Sequence, residues 1–193
     1  MRAALAQVAA QAGRDHPLDA SLQSATATRW RDSRNPADPT HSLGRVEQAE
    51  PAHAEQAVRH AVAAFPAWRE VAVVERARLC REAGRIMSER RFELAAWQVL
   101  EVGKAWREAD ADVAEAIDCW NYYADVAERL LDWRSTRDFP GEQNATRYEA
   151  LGPVAVIAPW NFPLAILSGM SAAALVCGNP VIMKQASASQ SNA

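Results

Sequence analysis

Apolar residues recur at intervals of three and four along the middle of the chain, a spacing that predicts amphipathic helices. Runs of this kind begin near Ala54, Leu79 and Phe92, and we expect each helix to bury one apolar stripe. The third run stops at Gly103, a residue that readily adopts the left-handed conformation found at helix ends. A fourth and longest run covers residues 106–131. Beside its apolar stripe it has a second face that carries Glu108, Asp112, Glu115, Cys119 and Tyr122. The middle of the chain is therefore predicted to consist of four helices.

The pattern is weaker on either side of these helices. Residues 1–34 show no firm period and are interpreted as a tail or a helix. A turn-rich stretch at 34–40 leads to a short strand predicted at 43–46. After the helices, a turn at 139–142 and a strand predicted at 146–150 indicate a hairpin-like arm.

The last forty residues or so combine apolar strands with an apolar helix. Residues 154–158 and 181–184 predict buried strands, and residues 164–177 predict a buried helix because nearly every position is apolar or small. Pro163 suits the first helical turn, where its missing N–H is not needed. A strand, a crossover helix and a second strand form the opening βαβ unit of a doubly wound parallel sheet, which binds ligands at the carboxyl ends of its strands. The predicted fold class is α/β: amino-terminal helices plus the first βαβ of a Rossmann-like domain, incomplete because one such unit does not form a stable domain.

Composition narrows the choice of partners. Hydrophobic residues make up 49% of the 193 residues, which suffices for a buried core. The net charge of -3 and the lack of a basic run argue against nucleic acid as a partner. Residues 151–183 carry no charge, but prolines and glycines divide them into pieces too short to cross a bilayer. We therefore expect a globular protein with neither nucleic acid nor membrane as a partner.

Three cysteines, Cys80, Cys119 and Cys177, lie in predicted helices. Their odd number and the lack of a Cys-x-x-Cys pair or clustered histidines predict neither a disulfide framework nor a metal site. A reducing, cytoplasmic location fits this composition best, and the first residues make a poor secretion signal. Without a histidine nearby to lower a thiol pKa, Cys119 and Cys177 are expected to be inert buried thiols.

Three motifs near the end of the chain stand at a spacing that resembles the aldehyde dehydrogenase superfamily. They are Gly-Pro at 152–153, Pro-Trp-Asn-Phe-Pro at 159–163 and Gly-Asn-Pro-Val-Ile-Met-Lys at 178–184. The resemblance extends back through the helices to about Asn35. It implies that a cysteine attacks an aldehyde, that hydride passes to NAD(P), and that water releases the acid. A small-molecule aldehyde and a nicotinamide cofactor are therefore the expected ligands.

The resemblance makes Asn161 the donor to the oxyanion that forms when the aldehyde is attacked. A side-chain amide held in a stiff Pro-Trp-Asn-Phe-Pro frame suits this task, because its N–H dipole is fixed before charge develops. The alternative is that Asn161 caps the helix that begins near Pro163, a role that asparagine fills well.

The resemblance also implies a cofactor groove. Lys184 would contact the adenosine ribose, and the alternative is a surface lysine that reaches solvent from the end of an apolar strand. Ser187 stands where many family members carry an acidic residue for the ribose hydroxyls, so NAD is expected and NADP is the alternative. The other residues that the resemblance places along the groove are Ala158, Pro159, Trp160 and Asn161.

Two segments resemble one branch of the superfamily, the L-glutamate γ-semialdehyde dehydrogenases of proline catabolism, also called 1-pyrroline-5-carboxylate dehydrogenases. These segments are Glu-Val-Gly-Lys at 101–104 and the acidic helical stretch at 108–118. The Lys-Gln-Ala-Ser segment at 184–187 is similar as well, although Gln185 replaces the proline usual in that branch.

Membership of this branch implies a substrate role for two residues. Glu115 would approach the substrate from the long helix, and Phe162 would pack near it. The alternative for Glu115 is a solvated acidic face. Its neighbours Asp112 and Asp118 are expected to be surface charges.

The family's cysteine nucleophile, general base and glycine-rich pyrophosphate turn lie downstream of Lys184. The chain is therefore expected to be the amino-terminal portion of an enzyme that is a homo-oligomer at full length, and to be inactive alone. Its expected segments are an amino-terminal tail or helix (1–34), the helical part of the cofactor-binding domain (35–137), a hairpin-like oligomerisation arm (138–152) and the start of the βαβ (153–193).

Two other functions are left open by the sequence. The first is the same chemistry on a different aldehyde, since Pro-Trp-Asn-Phe-Pro is shared across the superfamily. The second is a non-catalytic relic or interaction module that pairs with a full-length relative through the strand predicted at 146–150, because an exposed edge strand invites such pairing.

Overall fold

The computed structural model describes residues 1–22, 29–187 and 189. These residues form six α-helices, a short 3₁₀ turn and seven strands in three small sheets. The helices are α1 (Arg2–Ala9), α2 (Pro51–Arg69), α3 (Val73–Glu89), α4 (Arg91–Val102), α5 (Trp106–Leu130) and α6 (Ala165–Val176). The strands are β1 (Arg14–His16), β2 (Arg29–Asn35), β3 (Asp38–Gln48), β4 (Arg134–Ser135), β5 (Ala145–Thr146), β6 (Val154–Ile157) and β7 (Val181–Lys184). The predicted α/β class is confirmed.

The four helices predicted in the middle of the chain are present as α2 to α5. α2 begins at Pro51 with a reciprocal cap, in which the Glu50 side chain accepts from the His53 backbone and the Glu50 N–H donates to His53 Nδ1 at 2.9 Å. α4 ends at Gly103, whose φ of +74° is the left-handed conformation that the sequence predicted. A Cβ at this position would lie 3.0 Å from Pro36 Cγ, so glycine is favoured by the space as well as by the backbone.

The amino-terminal region contains a packed helix. Of the two interpretations of this region, a tail or a helix, the structure shows a helix at Arg2–Ala9. α1 lies against α4, where Val8 is fully buried beside Ala96 and Trp97. Since this contact removes apolar surface from water, it holds α1 in place.

A three-stranded sheet follows, with β3 between a parallel β1 and an antiparallel β2. The strand predicted at 43–46 is longer than expected, and the turn-rich stretch is the hairpin in which Asn35 pairs with Asp38. β1 and β2 escaped prediction because their side chains are mostly charged and exposed, with only Ser33 buried in β2. Such strands lack the alternation of apolar and polar residues that marks a half-buried strand.

The arm is an antiparallel hairpin with strands that differ from the predicted ones. β5 has only two residues and pairs with β4, so the strand predicted at 146–150 is wrong beyond Thr146. The residues that follow are exposed: Arg147 forms an ion pair with Glu149 at 2.5 Å and lies over the Trp133 ring at 4.9 Å. These side-chain contacts replace the backbone pairing that the sequence pattern indicated.

The apolar stripes are buried to different extents. In α5 most of the predicted stripe is buried, at Ala109, Val113, Ala116, Trp120, Ala124 and Ala127, whereas Trp106 at its start is 45% exposed. In α2, Val58 and Val62 are 48% and 56% exposed, and in α3 Leu79 and Ile86 are exposed as well. The expectation of one buried stripe in every helix is therefore wrong for parts of α2 and α3, and also for Phe92 in α4 and Trp106 in α5, which are exposed. α5 packs on three other helices, whereas α2 contacts mainly β7 and the 3₁₀ turn.

The βαβ unit has the predicted order of elements, but the expectation that its strands are buried is wrong: β6 buries only Val156 and β7 buries no residue, because α6 covers one face of the pair. β6 and β7 pair in parallel, with Ile157 opposite Lys184, and α6 connects them. α6 covers one face of the pair through Leu167, which packs with Val156 and Ala158. No helix in the described part of the chain is long and apolar enough to cross a membrane.

Candidate active site

The candidate site lies at the carboxyl ends of β6 and β7. The Ala158 N–H donates to the Lys184 carbonyl oxygen at 3.3 Å, which brings the end of β6 next to the end of β7. The Trp160–Asn161 turn follows β6, and Ser187 follows β7 by three residues. The structure therefore brings the residues predicted for a cofactor groove to one edge of the sheet.

Most of these residues face solvent. Ala158 is buried beneath the edge, whereas Trp160 is 55% exposed, and Lys184 and Ser187 are exposed too. Within the described residues the Lys184 ammonium makes neither an ion pair nor a hydrogen bond. The Lys184 residue is exposed, and its contact with an adenosine ribose stays a prediction.

A second lysine, Lys104, holds the Trp160–Asn161 turn from below. Its ammonium donates to the Asn161 carbonyl oxygen at 3.0 Å and lies 4.4 Å from the centre of the Phe162 ring. The Lys104 side chain is only 9% exposed, although the turn that it supports is exposed. No local sequence pattern indicates this role of Lys104, because its partners lie 57 and 58 residues away in the chain.

Asp112 anchors the start of α6 and is not the surface charge that the sequence led us to expect. It is 1% exposed, and its carboxylate accepts from the N–H groups of Leu164 and Ala165 at 3.3 and 3.4 Å. A signal for this burial was present, since Asp112 stands three residues after Ala109 and so falls on the apolar stripe of α5. Asp118 is exposed as expected.

The cap alternative for Asn161 is wrong in this structure. The residue at the N-cap of α6 is Leu164, with no side-chain cap, and it is Asp112 from α5 that accepts the N–H groups at this helix end. The Asn161 residue is exposed, and its backbone carbonyl is held by Lys104. The role of Asn161 as an oxyanion donor stays a prediction, and the helix cap no longer competes with it.

Glu115 lies at the rim of the contact between α5 and α6. One turn before it, Asp112 meets the start of α6, and one turn after it the Cys119 Sγ lies 3.1 Å from where a Gly169 Cβ would be. Glu115 is exposed and stands on α5 between these two contacts. Phe162 is 40% exposed beside Lys104. Their substrate roles stay predictions.

None of the three thiols is activated. Burial raises the pKa of Cys80 to about 11, and loss of water around the sulfur atom is the main cause that raises the pKa of Cys119 and, although the residue as a whole is exposed, of Cys177. The expectation that Cys177 is buried is wrong: it is exposed, because it stands at the carboxyl end of α6 where the chain leaves the core. Cys119 is half-buried. A raised thiol pKa leaves little thiolate at neutral pH, so none of them is a ready nucleophile.

A groove of about 800 Å³ lies on the other side of β7, between this strand, α2 and the three-stranded sheet. Its walls include His60, Ala61, Pro180 and Met183, and it contains none of the residues predicted to bind cofactor or substrate. The candidate site is thus an open edge, not a closed pocket, in the described residues.

Comparison with known proteins assigns the chain to a family. The model of the aldehyde dehydrogenase family matches residues 22–193. The chain therefore belongs to the aldehyde dehydrogenase family, as its motifs indicated.

Among its relatives are 1-pyrroline-5-carboxylate dehydrogenases. The enzyme of that name from Geobacillus thermodenitrificans is 43% identical over 186 residues, and 1-pyrroline-5-carboxylate dehydrogenase 2 of Bacillus subtilis is 41% identical over 185 residues. Each match covers 96% of this chain and 36% of the relative. The chain thus spans about a third of the length of the curated relatives it matches.

Solved structures show the same similarity. The 1-pyrroline-5-carboxylate dehydrogenase from Thermus with bound NAD matches 97% of this chain and 37% of its own, with a TM-score of 0.89 and 40% identity. Proline utilization A from Bdellovibrio bacteriovorus matches 99% of this chain and 20% of its own, with a TM-score of 0.94 and 40% identity. The fold described above is therefore that of the amino-terminal part of aldehyde dehydrogenase structures such as the Thermus enzyme, and it recurs in a part of proline utilization A.

Proposed function

We propose that this chain is the amino-terminal part of an NAD-dependent dehydrogenase that oxidises L-glutamate γ-semialdehyde to L-glutamate in proline catabolism. The observation that carries the proposal is the Trp160–Asn161 turn, fixed at the end of β6 beside Lys184. The names of the relatives, at 40 to 43% identity, support the choice of substrate. The oxidation needs the remainder of the enzyme, and the 193 residues alone are inactive in this account.

Asn161 is the proposed oxyanion donor. Its backbone is held by Lys104, and its residue is exposed at the edge where a substrate could approach. A preorganised amide stabilises the negative charge that develops on the aldehyde oxygen during nucleophilic attack. Glu115 and Phe162 are proposed to line the substrate side of the same turn.

The edge of the sheet suits a dinucleotide. Lys184 presents an exposed ammonium that is not paired within the described residues. Ala158, a small buried residue, lies beneath the proposed groove. Such a donor fits ribose hydroxyls, which accept hydrogen bonds. Pro159, Trp160 and Ser187 complete the proposed groove. NAD, which accepts the hydride when bound, is proposed over NADP because a relative binds it.

The wider setting follows from the same assignment. We propose a cytoplasmic enzyme, since three free cysteines suit a reducing compartment. The full-length enzyme is proposed to be a homo-oligomer whose arm, residues 138–152, contacts a second copy. The other boundaries proposed for the chain are 1–34, 35–137 and 153–193.

A substrate panel tests the proposal. The complete enzyme that carries this chain should form NADH with L-glutamate γ-semialdehyde, and kcat/KM should be at least about tenfold higher than with uncharged aldehydes of similar length. The same panel with NADP checks the cofactor. Equal kcat/KM for the whole panel would favour a dehydrogenase of another specificity, and no NADH with any aldehyde would refute dehydrogenase activity.

A non-catalytic interaction module is the second candidate. It is favoured by exposed apolar residues on the parallel strands, where Ile157 and Met183 are 67% and 50% exposed. Apolar surface of this kind commonly marks a contact with another polypeptide. Co-purification of the 193-residue chain with a full-length dehydrogenase would support this function, and a monomer of native-like stability would count against it.

A further inference from the structure

The chain uses lysine at only two positions. Of its 21 basic residues, Lys104 and Lys184 are the lysines and all the others are arginines. An ammonium is a compact charge with three donors, whereas a guanidinium is a wide planar fork. Lys104 is one of two lysines in an arginine-rich chain, and its side chain is nearly buried. Its site is therefore expected to fit a compact charge better than a guanidinium.

The surroundings of Lys104 match a compact charge. Its ammonium has three electron-rich neighbours: the Asn161 carbonyl at 3.0 Å, Asp112 Oδ1 at 3.4 Å and the Phe162 ring at 4.4 Å. The ammonium thus makes one hydrogen bond, one ion pair and one cation–π contact. Because the side chain is only 9% exposed, water competes weakly for these contacts.

Asp112 divides its two oxygens between two tasks. Oδ2 accepts from the N–H groups of Leu164 and Ala165, whereas Oδ1 accepts no hydrogen bond and forms an ion pair with the Lys104 ammonium at 3.4 Å. The side chain is fully buried, so an uncompensated carboxylate here would be costly. The positive charge of Lys104 and the positive end of the α6 dipole supply the compensation.

We propose that Lys104 and Asp112 are positioning residues that fix the Asn161 amide for catalysis. The pair joins three elements: the end of α4, the middle of α5 and the turn between β6 and α6. Lys104 holds the carbonyl of Asn161 itself, and Asp112 holds the first N–H groups three residues further on. Neither touches the reacting atoms. The catalytic part of this inference rests on the proposed function, whereas the structural part does not.

Hydrogen exchange measures the structural part directly. In the complete protein that carries this chain, Lys104→Met and Asp112→Asn should each speed exchange of the Leu164 and Ala165 amides by about tenfold, because a charge-assisted contact is lost. Asp112→Asn keeps an acceptor but turns amide hydrogens towards the ammonium, so it is not a neutral change. The matched controls are Arg107→Met and Asp118→Asn, exposed residues of α5.

Local and global effects can be separated in the same data. The faster exchange should be confined to the amides of residues 161, 162, 164 and 165, since Pro163 has no N–H, and amides in the core of α3 should exchange as in the unmodified protein. The claim that Lys104 and Asp112 hold this turn would be refuted if exchange of these amides were unchanged in both variants, or changed only as much as in the controls. If Lys104→Met does not fold, Lys104→Arg supplies the test, because it keeps the charge but not its compact shape.

Kinetics test the catalytic part. Lys104→Met should lower kcat by about 10², as expected for a slightly misplaced catalytic group, with the KM for NAD nearly unchanged. Lys104→Arg should not restore kcat. If Lys104→Met altered the exchange but kept full activity, the catalytic part of the inference would be refuted. The structural part would stand. An unmodified protein without dehydrogenase activity would refute the proposed function alone, since the exchange result is independent of activity.

Discussion

Burial controls the chemistry of the cysteine thiols at the scale of single residues. Cys80 is 3% exposed and packs in a cluster with Trp120 and Ala124. Burial penalises the thiolate, which raises the pKa of Cys80 to about 11. The nearby guanidinium of Arg76 lowers that pKa but is outweighed. The thiol therefore serves as an apolar core group.

The raised pKa of Cys80 predicts a loss of stability at alkaline pH. In the unfolded chain the thiol ionises near its ordinary pKa of 9.0, whereas the folded chain keeps the proton up to about 11. The contribution of this thiol to stability is therefore fully present below pH 9 and is lost as the pH rises from 9 to 11, by roughly 3 kcal/mol at most. Denaturant unfolding at intervals over this range measures it.

The comparison that isolates this effect uses two variants. Cys80→Ala should lose less stability than the unmodified protein between pH 9 and 11, after the constant cost of the cavity is subtracted. Cys177→Ala, at an exposed residue, should keep the decrease in the free energy of unfolding between pH 9 and 11 that Cys80 causes. Equal slopes for Cys80→Ala and the unmodified protein would contradict the assignment.

Asp112 and Asp118 show how far residue environments can be predicted from sequence. Both stand on α5, yet one is buried and the other exposed. The helical spacing from Ala109 contained the signal for burial, but the partners of Asp112 could not be predicted because Leu164 lies 52 residues away. The helical period predicts which positions of one helix are buried. It does not predict contacts between elements, because these depend on how the elements pack.

Backbone conformation sets the ends of elements, and Gly103 is the clearest case. Its φ of +74° ends α4, and Pro36 fills the space beside it. The turn between β4 and β5 contains another glycine of this kind, Gly141, with φ of +85° and nothing within 4 Å of an added Cβ. The two glycines share the backbone requirement and differ in the space around them.

Substituting these glycines should separate the two costs. Gly141→Ala should lower the free energy of unfolding by about 1 kcal/mol, the cost of a left-handed alanine. Gly103→Ala should lower it by about 1 kcal/mol more, because its methyl group meets Pro36. Urea unfolding compares them. An equal decrease in the free energy of unfolding for both variants would show that Pro36 moves aside without destabilising the protein.

Elements with a strong period were predicted well, and short polar strands were not. The stop of α4 at Gly103 and the βαβ over β6, α6 and β7 follow from local sequence, because glycine conformation and apolar runs are local properties. β2 and β4 carry exposed polar side chains and are defined by pairing with β3 and β5. Pairing depends on residues elsewhere in the chain, so the strand predicted at 146–150 was misplaced.

The whole molecule exposes apolar surface on particular elements. Ile157 and Met183 on the parallel strands, and Val58 and Val62 on α2, are each about half exposed or more. The relatives are much longer, since the chain spans 36% of their length. We expect the remainder of the complete enzyme to cover these residues, which explains why stripes predicted to be buried are exposed here.

The central claim is that the Trp160–Asn161 turn forms part of an aldehyde-oxidising site, and Asn161→Ala tests it most directly. In the complete enzyme, NADH formation from L-glutamate γ-semialdehyde should show kcat lowered by about 10² to 10³, because one preorganised oxyanion donor is lost. The KM for NAD should change little, since Asn161 is proposed to act on the aldehyde oxygen. An unchanged kcat in a folded Asn161→Ala enzyme would contradict the account.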